Sequence, residues 1–159
     1  MTTPIKQAVK MFCVLVSFWK LSFCAFLIFI SSCNSGPSDA PIPYQAFSDI
    51  IINLTLPAYA SLNANGGYKT IDGGMRGIII YRKDATTYLA FERNCSFHPN
   101  DACATVEVHS SGLYMVDSCC SSTFSFEGVP TGGSAWRPLQ QYQTSLDVNT
   151  LTISDQIVL

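Results

Sequence analysis

The sequence predicts an all-β domain, a sandwich or small barrel of antiparallel strands, over residues 49–159. Short apolar or alternating runs recur along this region, and Gly, Asn, Asp or Ser closes each of them. No window keeps the 3.6-residue period that an amphipathic helix requires. The region has about 110 residues, which is enough for one hydrophobic core and too few for two. We therefore expect a single β domain.

The first 32 residues have the organisation of a signal peptide. Three lysines precede the apolar run Leu21–Ile30, which is too short to cross a bilayer and has the length of a signal-peptide core. The Ile-Ser-Ser-Cys sequence that ends at Cys33 resembles the lipobox of bacterial lipoproteins, in the form common in Bacteroidetes. That resemblance implies that Cys33 becomes the lipidated first residue of the mature protein. The alternatives are an ordinary signal peptide and a membrane anchor over Met11–Ile30, which the charge of Lys20 disfavours.

The segment that follows is predicted to be a flexible tether over residues 33–48. It is rich in proline and small residues and has few apolar side chains to pack. We expect it to hold the domain on the inner or outer membrane of a bacterial cell envelope. Without the first 32 residues, six of the nine basic residues remain against eleven acidic ones, a net charge of about −5. Nucleic acid is therefore not an expected partner.

The predicted strands follow one another at short intervals along the domain. The first two are the β-branched runs Ile50–Ile52 and Gly77–Tyr81. Between them, the stretch Leu56–Gly74 is rich in Gly and Asn and is predicted to be a long excursion. The remaining predicted strands are Thr87–Phe91, Ala104–Val108, Leu113–Val116, Thr123–Phe126, Tyr142–Leu146 and Leu151–Ile153.

Four cysteines, Cys95, Cys103, Cys119 and Cys120, lie within the predicted domain. An exported protein meets an oxidising compartment, so we expect disulfides or metal ligands rather than free thiols. Neighbouring Cα atoms are about 3.8 Å apart, whereas a relaxed disulfide prefers about 4.4–6.8 Å. Cys119 and Cys120 should therefore reach back to Cys95 and Cys103, and both such pairings remain open.

The cysteine-bearing segments resemble the two cluster-binding loops of Rieske iron-sulfur domains, over roughly residues 75–155. The sequence CCSSTF at Cys119–Phe124, with GGSA at Gly132–Ala135, is similar to the family's C-P-x-H-G-S-x-F and its later G-P-A. Upstream, CSFH at Cys95–His98 followed by Cys103 is similar to the family's C-x-H-x-G-C with two or three residues inserted. The mature chain also resembles small Bacteroidetes lipoproteins in which this fold recurs with eroded ligands. These resemblances imply a Rieske-like β fold.

The resemblance also assigns ligand positions for a 2Fe-2S cluster. In the family, two thiolates hold one iron and two imidazoles hold the other. Cys95 keeps the first thiolate position, and Phe97, with His98 beside it, takes the first imidazole position. Asp117 takes the second thiolate position and Cys120 the second imidazole position. By this resemblance a cluster or other metal would use Cys95, His98 and Cys120, with Asp117 as a further ligand.

Three interpretations of the site follow from these substitutions. Cys103 and Cys119 occupy the places of two cysteines that form a disulfide between the loops in many family members. In the preferred interpretation Cys95 also bonds Cys120, and the domain is a cluster-free structural or binding module with no enzyme activity. The alternative is a one-electron carrier with a 2Fe-2S cluster and a periplasmic redox partner. The third is a tetrahedral zinc site formed by Cys95, His98, Cys103 and either Cys119 or Cys120.

Overall fold

The structure, a computed structural model, describes residues 40–158. The predicted signal peptide, the lipidation site at Cys33 and the first part of the tether lie outside the described residues. None of the helices in the described part of the chain has the length and apolar character to cross a membrane. The described part has one 3₁₀ helix (Pro57–Asn63) and ten strands: β1 (Ile50–Asn53), β2 (Tyr68–Ile71), β3 (Ile78–Arg82), β4 (Tyr88–Glu92), β5 (Val106–Val108), β6 (Met115–Asp117), β7 (Ser122–Phe124), β8 (Pro130–Gly132), β9 (Gln141–Asp147) and β10 (Thr150–Ile157).

The strands form two antiparallel sheets. The larger sheet has the order β1-β10-β9-β4-β3-β2, and the smaller sheet is a meander in the order β5-β6-β7-β8. Every strand pair is antiparallel. The predicted all-β fold of antiparallel strands with two cysteine-bearing loops is therefore confirmed.

Both faces of the larger sheet are covered, as the burial of strand β3 shows. Ile78, Ile79 and Ile80 are all fully buried, although neighbouring side chains of a strand point to opposite faces. Ile78 and Ile80 belong to a core with Leu62 of the 3₁₀ helix, whereas Ile79 packs in a second core with residues of the smaller sheet such as Phe124. A run of three isoleucines without alternation is the pattern expected of a strand buried on both sides.

Two strands lie in segments where no strand was predicted. The predicted excursion over residues 56–74 contains the 3₁₀ helix and strand β2, which pairs with β3. Strand β8 lies between the predicted strands Thr123–Phe126 and Tyr142–Leu146. Both strands lie at sheet edges and have no fully buried side chain, so their sequences lack the apolar alternation that marks a strand.

The end of the predicted tether runs along the domain in the structure. Residues 40–48 have no regular secondary structure. The Tyr44 hydroxyl donates a hydrogen bond to the Asp155 carboxylate at 2.7 Å, and the Phe47 ring packs edge-on against Tyr142 with the ring centroids 5.0 Å apart. Two aromatic residues thus give this segment contacts that its proline-rich composition does not predict.

Candidate metal-binding site

Two neighbouring loops contain the four cysteines of the domain. The first loop joins β4 to β5 over residues 93–105, and the second joins β6 to β7 over residues 118–121. A disulfide between Cys103 and Cys119 links the two loops. The pairing that the family resemblance implied is therefore present in the structure.

The guanidinium group of Arg76 is hydrogen-bonded to the first loop. It donates hydrogen bonds to the carbonyl oxygens of Asp101 and Ala102, the latter at 2.7 Å, and to the side chains of Asn94 and Thr105. Asp101 and Ala102 are exposed, so these two hydrogen bonds restrain the backbone of the loop and do not satisfy buried carbonyl groups. Arg76 thus fixes the path of the loop between its two cysteines.

Arg137 is also hydrogen-bonded to the first loop, at Ser96. The Ser96 hydroxyl donates to the carbonyl oxygen of Arg137 at 2.6 Å, and the Arg137 guanidinium donates back to the Ser96 carbonyl at 2.7 Å. The same guanidinium group also donates to the carbonyl of Ala40 at 2.9 Å. The segment before β9 and the start of the described chain are therefore both tied to the first loop.

The second loop is a tight turn stabilised by its own side chains. The backbone N–H of Cys119 donates to Asp117 Oδ1 at 2.8 Å, which is an Asx-type turn. The Ser122 hydroxyl oxygen accepts the backbone N–H of Ala135 at 2.9 Å. Gly133 passes so close to this turn that a Cβ atom there would overlap the backbone of Ser121, and its φ of 80° also favours glycine.

Between the two loops, one ligand atom each of Cys95, Asp117 and Cys120 lies within 4.8 Å of the other two. The sulfur atoms of Cys95 and Cys120 are 3.8 Å apart and are not bonded. Cys120 Sγ lies 3.4 Å from Asp117 Oδ2 and 3.0 Å from the Ser122 hydroxyl. Cys95 and Asp117 are fully buried, whereas Cys120 is half-buried.

Among the described residues, no basic side chain pairs with the carboxylate of this group of donors. Burial raises the pKa of the Cys95 thiol, and the hydrogen bond with Asp117 raises it further. Among residues 40–158, the contacts between basic and acidic side chains within 4 Å are those of Lys83 with Glu127, Arg93 with Glu107 and His98 with Asp101, so none involves Asp117. A buried carboxylate is normally compensated by several hydrogen bonds, by a cation or by a metal ion, and in the part of the chain that the structure describes the one backbone N–H that Asp117 accepts is that of Cys119.

The structure does not bring His98 to these donors. His98 has a left-handed backbone with φ of 44°, and about half of its side chain is exposed. Its Nδ1 lies 3.6 Å from Asp101, and its ring stacks on Phe97. Cys103 and Cys119 are not free to bind zinc as thiolates, because they are bonded to each other. The four-residue zinc set considered from the sequence is therefore not assembled in this structure.

A buried carboxylate that the sequence analysis did not identify supports the first loop. Glu92 is fully buried at the end of β4 and accepts hydrogen bonds from the backbone N–H groups of Met75 at 2.7 Å, Arg76 at 3.0 Å and Asn94 at 2.9 Å. It also accepts the Tyr142 hydroxyl at 2.7 Å. An acidic residue directly after an apolar strand was the one available signal, and it gave no indication of which donors surround it.

Comparisons with known proteins give distant similarities among solved structures alone. Neither a protein-family model nor a curated protein matches the sequence. Among solved structures, the ferredoxin of carbazole 1,9a-dioxygenase from Nocardioides aromaticivorans IC177 is similar, with a TM-score of 0.45 and 17% sequence identity. The match covers 69% of this chain and 100% of the ferredoxin chain. What the site can hold is decided by the residues of the two loops and not by this similarity.

Proposed function

We propose that this chain is an exported domain of Rieske-like fold that is anchored to a bacterial envelope membrane through a lipid on Cys33. In this proposal the domain has no 2Fe-2S cluster and acts as a disulfide-stapled structural or binding module. The observation that carries the proposal is the donor set between the loops, which consists of Cys95, Asp117 and Cys120. A Rieske cluster requires two thiolates and two imidazoles. In the described part of the chain, the donor group includes no histidine.

The residues present therefore do not fit a two-iron cluster. Three donors converge where four are needed, and the histidine of the first loop lies beside Asp101 and not among these donors. The loops are held without a metal centre by the Cys103–Cys119 disulfide and by the hydrogen bonds of Arg76 and Arg137. A loop pair fixed in this way is a preorganised surface, which lowers the entropic cost of binding a partner.

A one-electron carrier is the second candidate function. The convergence of Cys95 and Cys120 between two loops, with Asp117 beside them, is the observation that favours it, because cysteine thiolates bind iron-sulfur clusters. The ring of His98 would have to leave Asp101 to complete the ligand set. Such a carrier would exchange electrons with a periplasmic redox partner.

Iron analysis separates the two candidates. We expect the full-length chain, purified in detergent from a host with intact iron-sulfur assembly, to be colourless, with iron and acid-labile sulfide far below one per chain. About two irons and two sulfides per chain, with broad visible absorption, would overturn the cluster-free proposal. Cys95→Ser is the matched control, because a specifically bound cluster would be lost in this variant, whereas adventitious iron would remain.

Substitution of Cys33 tests the proposed anchor. We expect Cys33→Ala to abolish incorporation of a labelled fatty acid, because lipidation requires the thiol of the first mature residue. Cys24→Ala is the matched control, since Cys24 lies within the predicted signal peptide and its loss should leave labelling unchanged. Equal labelling of Cys33→Ala and the wild-type chain would contradict the proposed lipidation site.

A further inference from the structure

We infer that Cys95, Cys120 and Asp117 bind one divalent transition-metal ion of the zinc class. The inference rests on the proposed absence of a cluster at the same site. A Zn–S bond is about 2.3 Å long, so two thiolates on one tetrahedral ion lie about 3.8 Å apart. The sulfur atoms of Cys95 and Cys120 are 3.8 Å apart. The loops therefore already present the two sulfurs at the separation that a single ion requires.

The carboxylate of Asp117 is oriented as the third ligand. Its Oδ1 atom accepts the Cys119 backbone N–H at 2.8 Å, and its Oδ2 atom lies 3.4 Å from Cys120 Sγ. In metal sites, one polar atom of a side chain binds the ion, and a hydrogen bond to its other polar atom typically fixes the orientation of the side chain. The turn of the second loop thus points one carboxylate oxygen towards the two sulfurs.

Charge and ligand type indicate which ion fits. Asp117 is fully buried, and no ion pair among the described residues compensates it. Two thiolates and a carboxylate would carry three negative charges, which a divalent ion offsets in large part. Thiolates select zinc-class ions over Mg²⁺ and Ca²⁺, which prefer six or more oxygen ligands. The site therefore suits Zn²⁺ or a similar ion.

Three protein ligands leave a fourth position open on a tetrahedral ion. Sites of this kind keep the open position for water or an exogenous donor, whereas purely structural zinc sites use four protein ligands. Cys120 is half-buried and the other two ligands are fully buried, so the ion would be reached from the side of Cys120. The fourth ligand would be water or a small donor from solution.

Oxidation would compete with metal binding. An external disulfide such as oxidised glutathione would accept two electrons from the Cys95 and Cys120 thiols and would leave as two thiols, while a Cys95–Cys120 bond forms. This is the second disulfide that the sequence analysis considered. The oxidised form lacks both sulfur ligands, so metal binding requires the reduced pair.

Cobalt binding tests the inference, because Co²⁺ in a tetrahedral thiolate site has a characteristic visible and near-ultraviolet spectrum. The test uses the reduced full-length chain in detergent, with Cys13, Cys24, Cys33, Cys103 and Cys119 changed to serine, because reduction would otherwise open the Cys103–Cys119 disulfide and add competing thiols. We expect one Co²⁺ per chain, displacement by one Zn²⁺, and release of about two protons per ion. Absence of a cobalt-thiolate spectrum in the reduced chain would overturn the inference.

Single variants identify the ligands. We expect Cys120→Ser and Asp117→Asn to weaken Zn²⁺ binding by more than the roughly 10–100-fold that loss of an outer-shell partner costs. Because Cys120 is half-buried, the serine variant should fold, and circular dichroism checks this. His98→Ala should bind Zn²⁺ like the wild-type chain, and a loss equal to that of Cys120→Ser would overturn the proposed ligand set.

The outcomes for the two proposals are distinguishable. Two irons and two sulfides per purified chain would reject the cluster-free function and with it the single-ion site. A chain that contains neither iron nor sulfide and that fails to bind Co²⁺ after reduction would reject only the single-ion site. Pretreatment with oxidised glutathione should abolish Co²⁺ binding, and unchanged binding after that treatment would contradict the two-thiolate ligand set.

Discussion

Glu92→Ala is expected to lower the free energy of unfolding by about 4 kcal/mol, a large share of the stability of a domain of this size. The substitution removes the acceptor of four hydrogen bonds, from the backbone N–H groups of Met75, Arg76 and Asn94 and from the Tyr142 hydroxyl. A buried donor left without a partner costs about 1–3 kcal/mol. Denaturant unfolding of the full-length chain in non-ionic detergent measures the loss.

A graded series distinguishes the hydrogen bonds from simple loss of side-chain volume. Glu92→Gln keeps one carbonyl oxygen and should cost about half as much, because two donors then face an NH₂ group. Tyr142→Phe removes one of the four bonds and should cost about 1 kcal/mol. Glu127→Gln is the matched surface control, since that carboxylate is exposed and pairs with Lys83. A Glu92→Ala variant as stable as Glu127→Gln would contradict the prediction.

The position of Glu92 links the stability of the fold to the site. Its carboxylate holds the backbone of Arg76, whose guanidinium group then reaches the carbonyls of Asp101 and Ala102 in the first loop. Gly74 has φ of 58°, and a Cβ atom there would overlap the Glu92 carboxylate and the Tyr142 hydroxyl. The close turn at Gly74 is therefore what allows the carboxylate to be surrounded by donors.

The sequence predicted the strands whose side chains are buried and failed at those whose side chains are not. Ile78–Arg82 and Tyr88–Glu92 carry β-branched and aromatic residues and were predicted to within one residue. Strand β2 was missed because Tyr68–Ile71 follows two glycines and has no fully buried residue. Strand β8 is held by pairing with β7, and its Pro and Gly residues favour a turn when the sequence is considered alone.

The residues of the site could be predicted, but the orientations of their side chains could not. The family resemblance assigned Cys95, Asp117 and Cys120 to ligand positions, and the structure brings one ligand atom of each within 4.8 Å of the other two. The direction of the His98 ring depends on a single left-handed residue in an irregular loop, which no periodic pattern encodes. The supporting contacts of Arg76 and Ser122 depend on tertiary packing and left no local signal.

Removal of the Cys103–Cys119 disulfide is expected to lower the free energy of unfolding by about 3 kcal/mol. The two cysteines are 16 residues apart, and a crosslink that closes a loop of about 15 residues stabilises by roughly 3 kcal/mol in the chain-entropy account. The Cys103→Ser/Cys119→Ser double variant should still fold, because Arg76 and Arg137 hold the first loop independently. Denaturant unfolding under non-reducing conditions measures the difference.

Reduction and a neighbouring cysteine supply the controls for this disulfide. A reductant should destabilise the wild-type chain by the same amount and should leave the double variant unchanged. Cys120→Ser alters a sulfur next to Cys119 that has no covalent partner in the structure, so it should cost less than about 1 kcal/mol. If the double variant has the same free energy of unfolding as Cys120→Ser, the crosslink does not stabilise the fold. A loss near 3 kcal/mol in Cys120→Ser itself would instead indicate the Cys95–Cys120 disulfide, because only a second closed loop removes comparable entropy from the unfolded chain.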